Sequence, residues 1–216
     1  MSARLVNFYF QIELLNRTNS RTAYLVIEIL GVIIAAALIN NVVLVNLLGV
    51  STLFSSSNSL RSACELALFS FIVLFLSSFL NFIIYRFFLN PIGLAYLRLI
   101  VFVGISSTLT IVCYKCAEDY FPLSIRRHDL AFYLIGANSA VIGISLLSAM
   151  GVHTVSQSLA YSFGSALGFA IVLIAFAALR QRLDTMDIPD VFRGPAIQLV
   201  SAGIVSMCFI GLAGLI

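Results

Sequence analysis

The sequence predicts an all-α membrane protein with six transmembrane helices, arranged as two inverted three-helix repeats in which the first helix of each is broken. Three observations carry this prediction. The 216 residues are 61% hydrophobic and only 10% charged, whereas a soluble domain has about a quarter of its residues charged. Mean hydropathy is +1.09, so the solvent of this chain is largely lipid. Polar residues also interrupt two apolar runs: Asn40-Asn41 falls inside 23–54, and Gly136-Ala137-Asn138-Ser139 inside 130–147. Hydrocarbon gives no water to an amide or an unwound peptide, so such a segment persists only where protein or a lined cavity covers it.

Runs with few charges place the spans at 23–54, 66–85, 92–113, 130–147, 158–179 and 195–216. Most have about the 20 residues needed to cross roughly 30 Å of hydrocarbon. The first is too long for one straight span at about 1.5 Å per residue, and a break near the asparagine pair resolves the excess. Residues 1–22 read as a polar N-terminal extension. Residues 23–216 read as one membrane domain, with repeat halves about 23–113 and 130–216. Arg4, Glu13, Arg17 and Arg21 break the opening stretch before the apolar core of a cleaved signal can form.

The links are short and carry turn residues. Ser55 to Ser59 joins the first two spans, and Asn90-Pro91 precedes the third. The third link is longer and holds Lys115, Glu118, Asp119, Arg126, Arg127 and Asp129, while 180–193 mixes acids and bases around Pro189. Links one, three and five share a face that includes Arg61, Arg180, Arg182 and Arg193 together with the basic residues of the third. Arg86 and Arg98 lie on the other face. The excess of basic residues predicts a multi-pass protein with both termini on the outer face of the membrane.

Leu38-Ile39-Asn40-Asn41 resembles Leu134-Ile135-Gly136-Ala137-Asn138. Each is followed by a glycine and a serine: Gly49 with Ser51, and Gly143 with Ser145. The two sites lie three spans apart, and an odd number of spans inverts the second repeat relative to the first. Adjacent asparagines point to different faces of a helix, so an unwound segment capped by side chains explains Asn40 and Asn41 better than packing does. Asn138 is assigned the same role.

The other polar residues carry weaker signals. The net charge of +3 comes from scattered arginines with no basic face, so nucleic acid is not an expected partner. Cys113 and Cys116 have metal-like spacing but no matching pair. Packing at a span end is the expectation for them, and small apolar filling is expected for Cys64 and Cys208. Glu28 is expected to reach the membrane interface, and His128 and His153 to lie in solvated links.

Several segments together resemble the Rnf/Nqr membrane-subunit family, which includes the A-type component of the Rnf complex and the E-type component of the sodium-pumping NADH–quinone reductase. Asn40 to Val45, continuing to Leu48-Gly49, resembles the family's first broken span. Tyr96-Leu97-Arg98 with Phe102 is similar to its third, and Asn138 to Val141 with Gly143 to its fourth. Phe176 to Leu183, Asp187-Ile188-Pro189 and Phe192-Arg193-Gly194 form the most specific stretch. The likeness covers about residues 29–215 and is closer to the A-type Rnf branch.

The resemblance implies a subunit of an ion-translocating electron-transport complex. It would form half of a heterodimeric membrane core with a homologous subunit inserted the opposite way. It also implies a 2Fe-2S cluster midway across the membrane, held by one cysteine from each broken span of both subunits. Flavin and further iron–sulfur clusters would sit on partner subunits. In this chain Ser51 and Ser139 stand at the two cluster-ligand positions. Clusters are held by thiolates, and a serine hydroxyl stays protonated near neutral pH. The expectation is therefore a subunit without cluster ligands of its own and without turnover alone. Arg180, Arg182 and Arg193 are the candidate partner-docking residues, and no metal-ligating set is assigned. A secondary transporter or channel reusing the inverted fold is the alternative.

Overall fold

The computed structural model describes residues 24–50, 60–120, 138–151, 154–186, 189 and 194–213. The N-terminal extension, the link around Ser55 to Ser59, and Ser51, Arg126, Arg127, His128, Gly136, His153 and Arg193 lie outside the described residues.

Every regular element among the described residues is helical. Helix α1 covers 24–34 and leads into a wider π-helical turn at Ala35–Ile39. A short α2 follows at Val42–Asn46. Helix α3 spans Leu60–Ile84 and α4 spans Arg98–Tyr120. Helices α5 (Ser139–Met150), α6 (Val155–Asp184) and α7 (Pro195–Ala213) complete the chain.

Among the described residues, four stretches are long and apolar enough to cross a membrane: Tyr24–Asn46, Ala63–Ile92, Ala95–Ala117 and Val155–Leu183. Ser139–Met150 and Ala196–Phe209 are shorter apolar helices.

Local chemistry sets several of the ends. Thr154 and Gln157 form a reciprocal capping box at the start of α6, each side chain accepting from the other's backbone N–H. After α3, a second π-helical turn at Tyr85–Leu89 carries the chain on to Ile92. Gly93, at φ +77°, ends it.

The charged link residues are more helical than the hydropathy pattern predicts. Lys115, Glu118 and Asp119 belong to α4, and Arg180 and Arg182 to α6. Arginine, glutamine and leucine are good helix formers, so α6 keeps its hydrogen bonds past its apolar segment until Thr185.

Helix α3 packs along α6, with Phe71 and Phe75 set edge-on to Phe163. Val73, Leu74, Val141, Ile144, Phe169 and Leu173 are buried around this contact. Large apolar side chains such as Ile27, Ile100 and Met207 face outward, which lipid tolerates and water would not.

Helices α1 and α6 run parallel and very close. Gln157 meets Glu28, Gly164 meets Ile33, and Gly168 meets Ala37, so both chains ascend together. Glycines four residues apart let the two backbones touch, the usual means of helix contact in lipid.

Candidate functional site

The site is the place where one interrupted helical stretch meets the start of α5, and an asparagine caps a helix on each side. At the first, the Asn40 backbone N–H closes the π-helical turn onto Ala35 O at 2.7 Å. Asn41 then adopts an extended backbone, φ −66° and ψ 118°. Its Oδ1 accepts from Val43 N at 3.0 Å, capping α2. Its Nδ2 donates to Ala37 O at 2.8 Å, on the other side of the break. One buried amide therefore satisfies groups on both sides of the gap, which hydrocarbon could not do.

At the start of α5 Asn138 has a closely similar backbone, φ −71° and ψ 131°. Its Oδ1 accepts from Ala140 N at 3.1 Å and caps α5.

The chain leaves α2 through a left-handed Leu47 (φ 53°) and reaches Gly49 at φ +82°. Gly49 lies against the capped start of α5. Its N–H donates to Ser139 Oγ at 3.0 Å. A Cβ there would lie 2.7 Å from the Phe169 ring and 2.9 Å from the Ala140 Cβ. Leu48 packs where a side chain at Gly143 would stand.

Two further helices brace the crossing. A Cβ on Gly168 of α6 would come within 2.5 Å of Ala37 O and 2.8 Å of Asn41 Nδ2. The bare glycine thus makes room for the Asn41–Ala37 hydrogen bond. From α7, the buried Ser206 hydroxyl donates to Leu44 O of α2.

The sequence-derived positions separate here. Asn41 and Asn138 are buried, while Asn40 is exposed and contributes its backbone N–H. Ser139 sits at the edge of the crossing with its hydroxyl on Gly49. Ser51 and Arg193 lie outside the described residues. Arg180 is half-buried and Arg182 exposed near the end of α6, away from the crossing in sequence and joined to it by the length of that helix. Glu28 is exposed, and its carboxylate accepts from Gln157 Nε2 at 2.6 Å.

Cys64 and Cys208 are exposed, so they do not fill the core as expected. A thiol is apolar enough to face lipid without penalty. Cys116 is exposed too and Cys113 half-buried, both on α4.

The residues at the crossing do not fit an iron–sulfur cluster. Ser139 presents a hydroxyl already engaged by a backbone N–H. No group of three or more His, Cys, Asp or Glu suited to a metal occurs among the described residues.

One set of polar residues gave no signal in hydropathy. Asn81 and Ser78 of α3, Ser145 and Ser148 of α5, and Ser158 and Ser162 of α6 are all fully buried. Serines recurring three or four residues apart inside apolar runs were the available sign. Gly164 and Gly168, at the same spacing, marked the α1–α6 contact.

A family model described as "Rnf-Nqr subunit, membrane protein" matches residues 29–216. A protein of Alkalilimnicola ehrlichii, named as the A-type component of an "Ion-translocating oxidoreductase complex", is 38% identical over 189 residues, covering 88% of this chain and 98% of its own. Proteins of the same name from Pasteurella multocida and Alcanivorax borkumensis are 36% and 38% identical, with the same shares covered.

Proposed function

The chain belongs to the Rnf-Nqr membrane-subunit family, and we propose that it forms one half of a heterodimeric membrane core in an ion-translocating oxidoreductase complex. The observation that carries this is the match over nearly the whole length of relatives named as the A-type component of such a complex. Its partner in the core is a homologous membrane subunit of opposite orientation. Other subunits bring flavin, nicotinamide and further iron–sulfur clusters.

The inverted-repeat reading, with halves about 23–113 and 130–216, rests on the equivalence of Asn41 and Asn138. Both cap the start of a helix with nearly the same backbone angles. Two short helical pieces meeting at membrane depth are the pattern from which transporter folds build their central sites. With the basic links on the inner side of the bacterial inner membrane, both termini face the periplasm. Arg180, Arg182 and Arg193 then dock a partner from the cytoplasmic side, and the chain has no turnover alone.

Serine at positions 51 and 139 makes this subunit a scaffold and not a ligand donor. The Ser139–Gly49 hydrogen bond supports that reading, because the hydroxyl ties the two broken stretches together. The test is to purify the chain with its neighbouring subunits and measure iron and labile sulfide. Co-purification with a homologous membrane subunit is expected, with no iron gained through this chain. Ser51→Cys with Ser139→Cys should raise iron and sulfide together. A chain that is stable and monomeric without any homologous partner would instead favour a transporter or channel.

A further inference from the structure

Six wholly buried polar side chains from α3, α5 and α6 close a ring inside the bundle. Asn81 of α3 donates from Nδ2 to Ser145 Oγ of α5 at 2.9 Å. One turn along α5, Ser148 pairs with Ser158 of α6 at 2.8 Å. One turn along α6, Ser162 pairs with Ser78 of α3 at 2.9 Å. Ser78 lies one turn before Asn81, and residues three or four apart are neighbours on a helix surface. Cross-helix hydrogen bonds therefore alternate with single turns around the whole circuit.

The orientation of the Asn81 amide is fixed from outside the ring. Its Nδ2 also donates to Ser106 Oγ of α4 at 3.3 Å. Ser106 gives its own proton to Phe102 O at 2.6 Å, so towards Asn81 it can only accept. That leaves Asn81 Oδ1 buried and without a hydrogen-bond partner among the described residues. A buried oxygen in that state carries its full desolvation penalty unless a donor or a cation meets it.

The surroundings are rich in neutral oxygens. A divalent ion calls for carboxylates, whereas uncharged oxygens suit a monovalent cation held weakly enough to leave again. Ser145 lies about 10 Å along α5 from the Asn138 cap, at 1.5 Å per residue. The ring and the crossing thus share one short helix. We infer that Asn81 and this hydroxyl ring form a transit site for a small alkali cation such as sodium, an inference that rests on the ion-translocating subunit reading above.

The test uses the complex purified with its neighbouring subunits and reconstituted into liposomes. Electron transfer and uptake of radioactive sodium are followed as NaCl replaces choline chloride at constant ionic strength. Asn81→Leu, which keeps the fork at Cγ but carries no oxygen, should cut sodium uptake and raise the half-saturating NaCl concentration, each about tenfold. Asn81→Asp should lower that concentration, because a carboxylate attracts the cation more strongly. Assembly is read from co-purification. If Asn81→Leu does not assemble, Ser145→Ala carries the test, with an expected rise of about threefold in half-saturating NaCl. Variants that assemble and keep the wild-type NaCl dependence overturn the inference and leave the subunit reading standing. So does a wild-type complex whose electron transfer and sodium uptake ignore NaCl. Failure of the wild-type chain to co-purify with a homologous membrane subunit overturns the subunit reading itself, and the transit site falls with it.

Discussion

Asn41 and Asn138 do the same local work in the two halves of the chain, and they differ in what lies behind them. Both hold an extended backbone, and both accept from the N–H two residues on. Asn41 is backed by α6, where Gly168 leaves space for its second hydrogen bond to Ala37 O. Asn138 is backed by the other broken stretch, through Gly49. The capping chemistry is generic, and the neighbour that protects it from lipid is particular to each break. A polar cap at membrane depth is as stable as the surface that covers it.

The two caps part most clearly at their backing glycines. Gly168→Ala would place a methyl against the Ala37 carbonyl and the Asn41 amide, neither of which can swing aside. The expected loss is about 3 kcal/mol, at the upper end of the overpacking range. Thermal survival of the monodisperse protein in detergent would register it.

Gly49→Ala tests the Asn138 cap and should come next, at about 2 kcal/mol from left-handed backbone strain with crowding against Phe169. Gly143→Ala is its control. It meets only the tip of the Leu48 side chain, which can rotate, and should cost less than about 1 kcal/mol. Equal losses for the two glycines would show that the crossing does not depend on the turn at Gly49.

The adjacent asparagines divide the roles within the first break. Asn41→Ala removes the cap and the bond to Ala37 O together, for about 2 kcal/mol. Asn40→Ala leaves the backbone N–H in place and should stay within about 0.5 kcal/mol. The same melting assay separates them, and a larger effect at 40 than at 41 would reverse the assignment.

Much of this arrangement was legible before any coordinates. An apolar run too long for one span, with two amides inside it, marks where the helix must stop, because capping is a local property of a short polar side chain. Which of the two amides turns inward was not legible. Asn40 and Asn41 are chemically identical, and the choice depends on the phase of the π-helical turn before them. The fates of Cys64 and Cys208 were hidden for a different reason. Small apolar residues suit a core and a lipid-facing surface equally, so composition cannot tell inside from outside when the solvent is hydrocarbon.

Residue order was enough to set the solvent, the helical class, the break at the asparagine pair, and the family. These follow from hydropathy, capping and motif, all properties of residues close together along the chain. It took the packed bundle to bring Gly49 onto Ser139, to offer bare α6 backbone to α1, and to gather the serines of three helices around Asn81. Those contacts join residues far apart in the chain, Gly49 with Ser139 across 90 positions and Ile33 with Gly164 across still more. Which hydroxyl meets which depends on the rotation and depth of whole helices, set jointly by every contact between them.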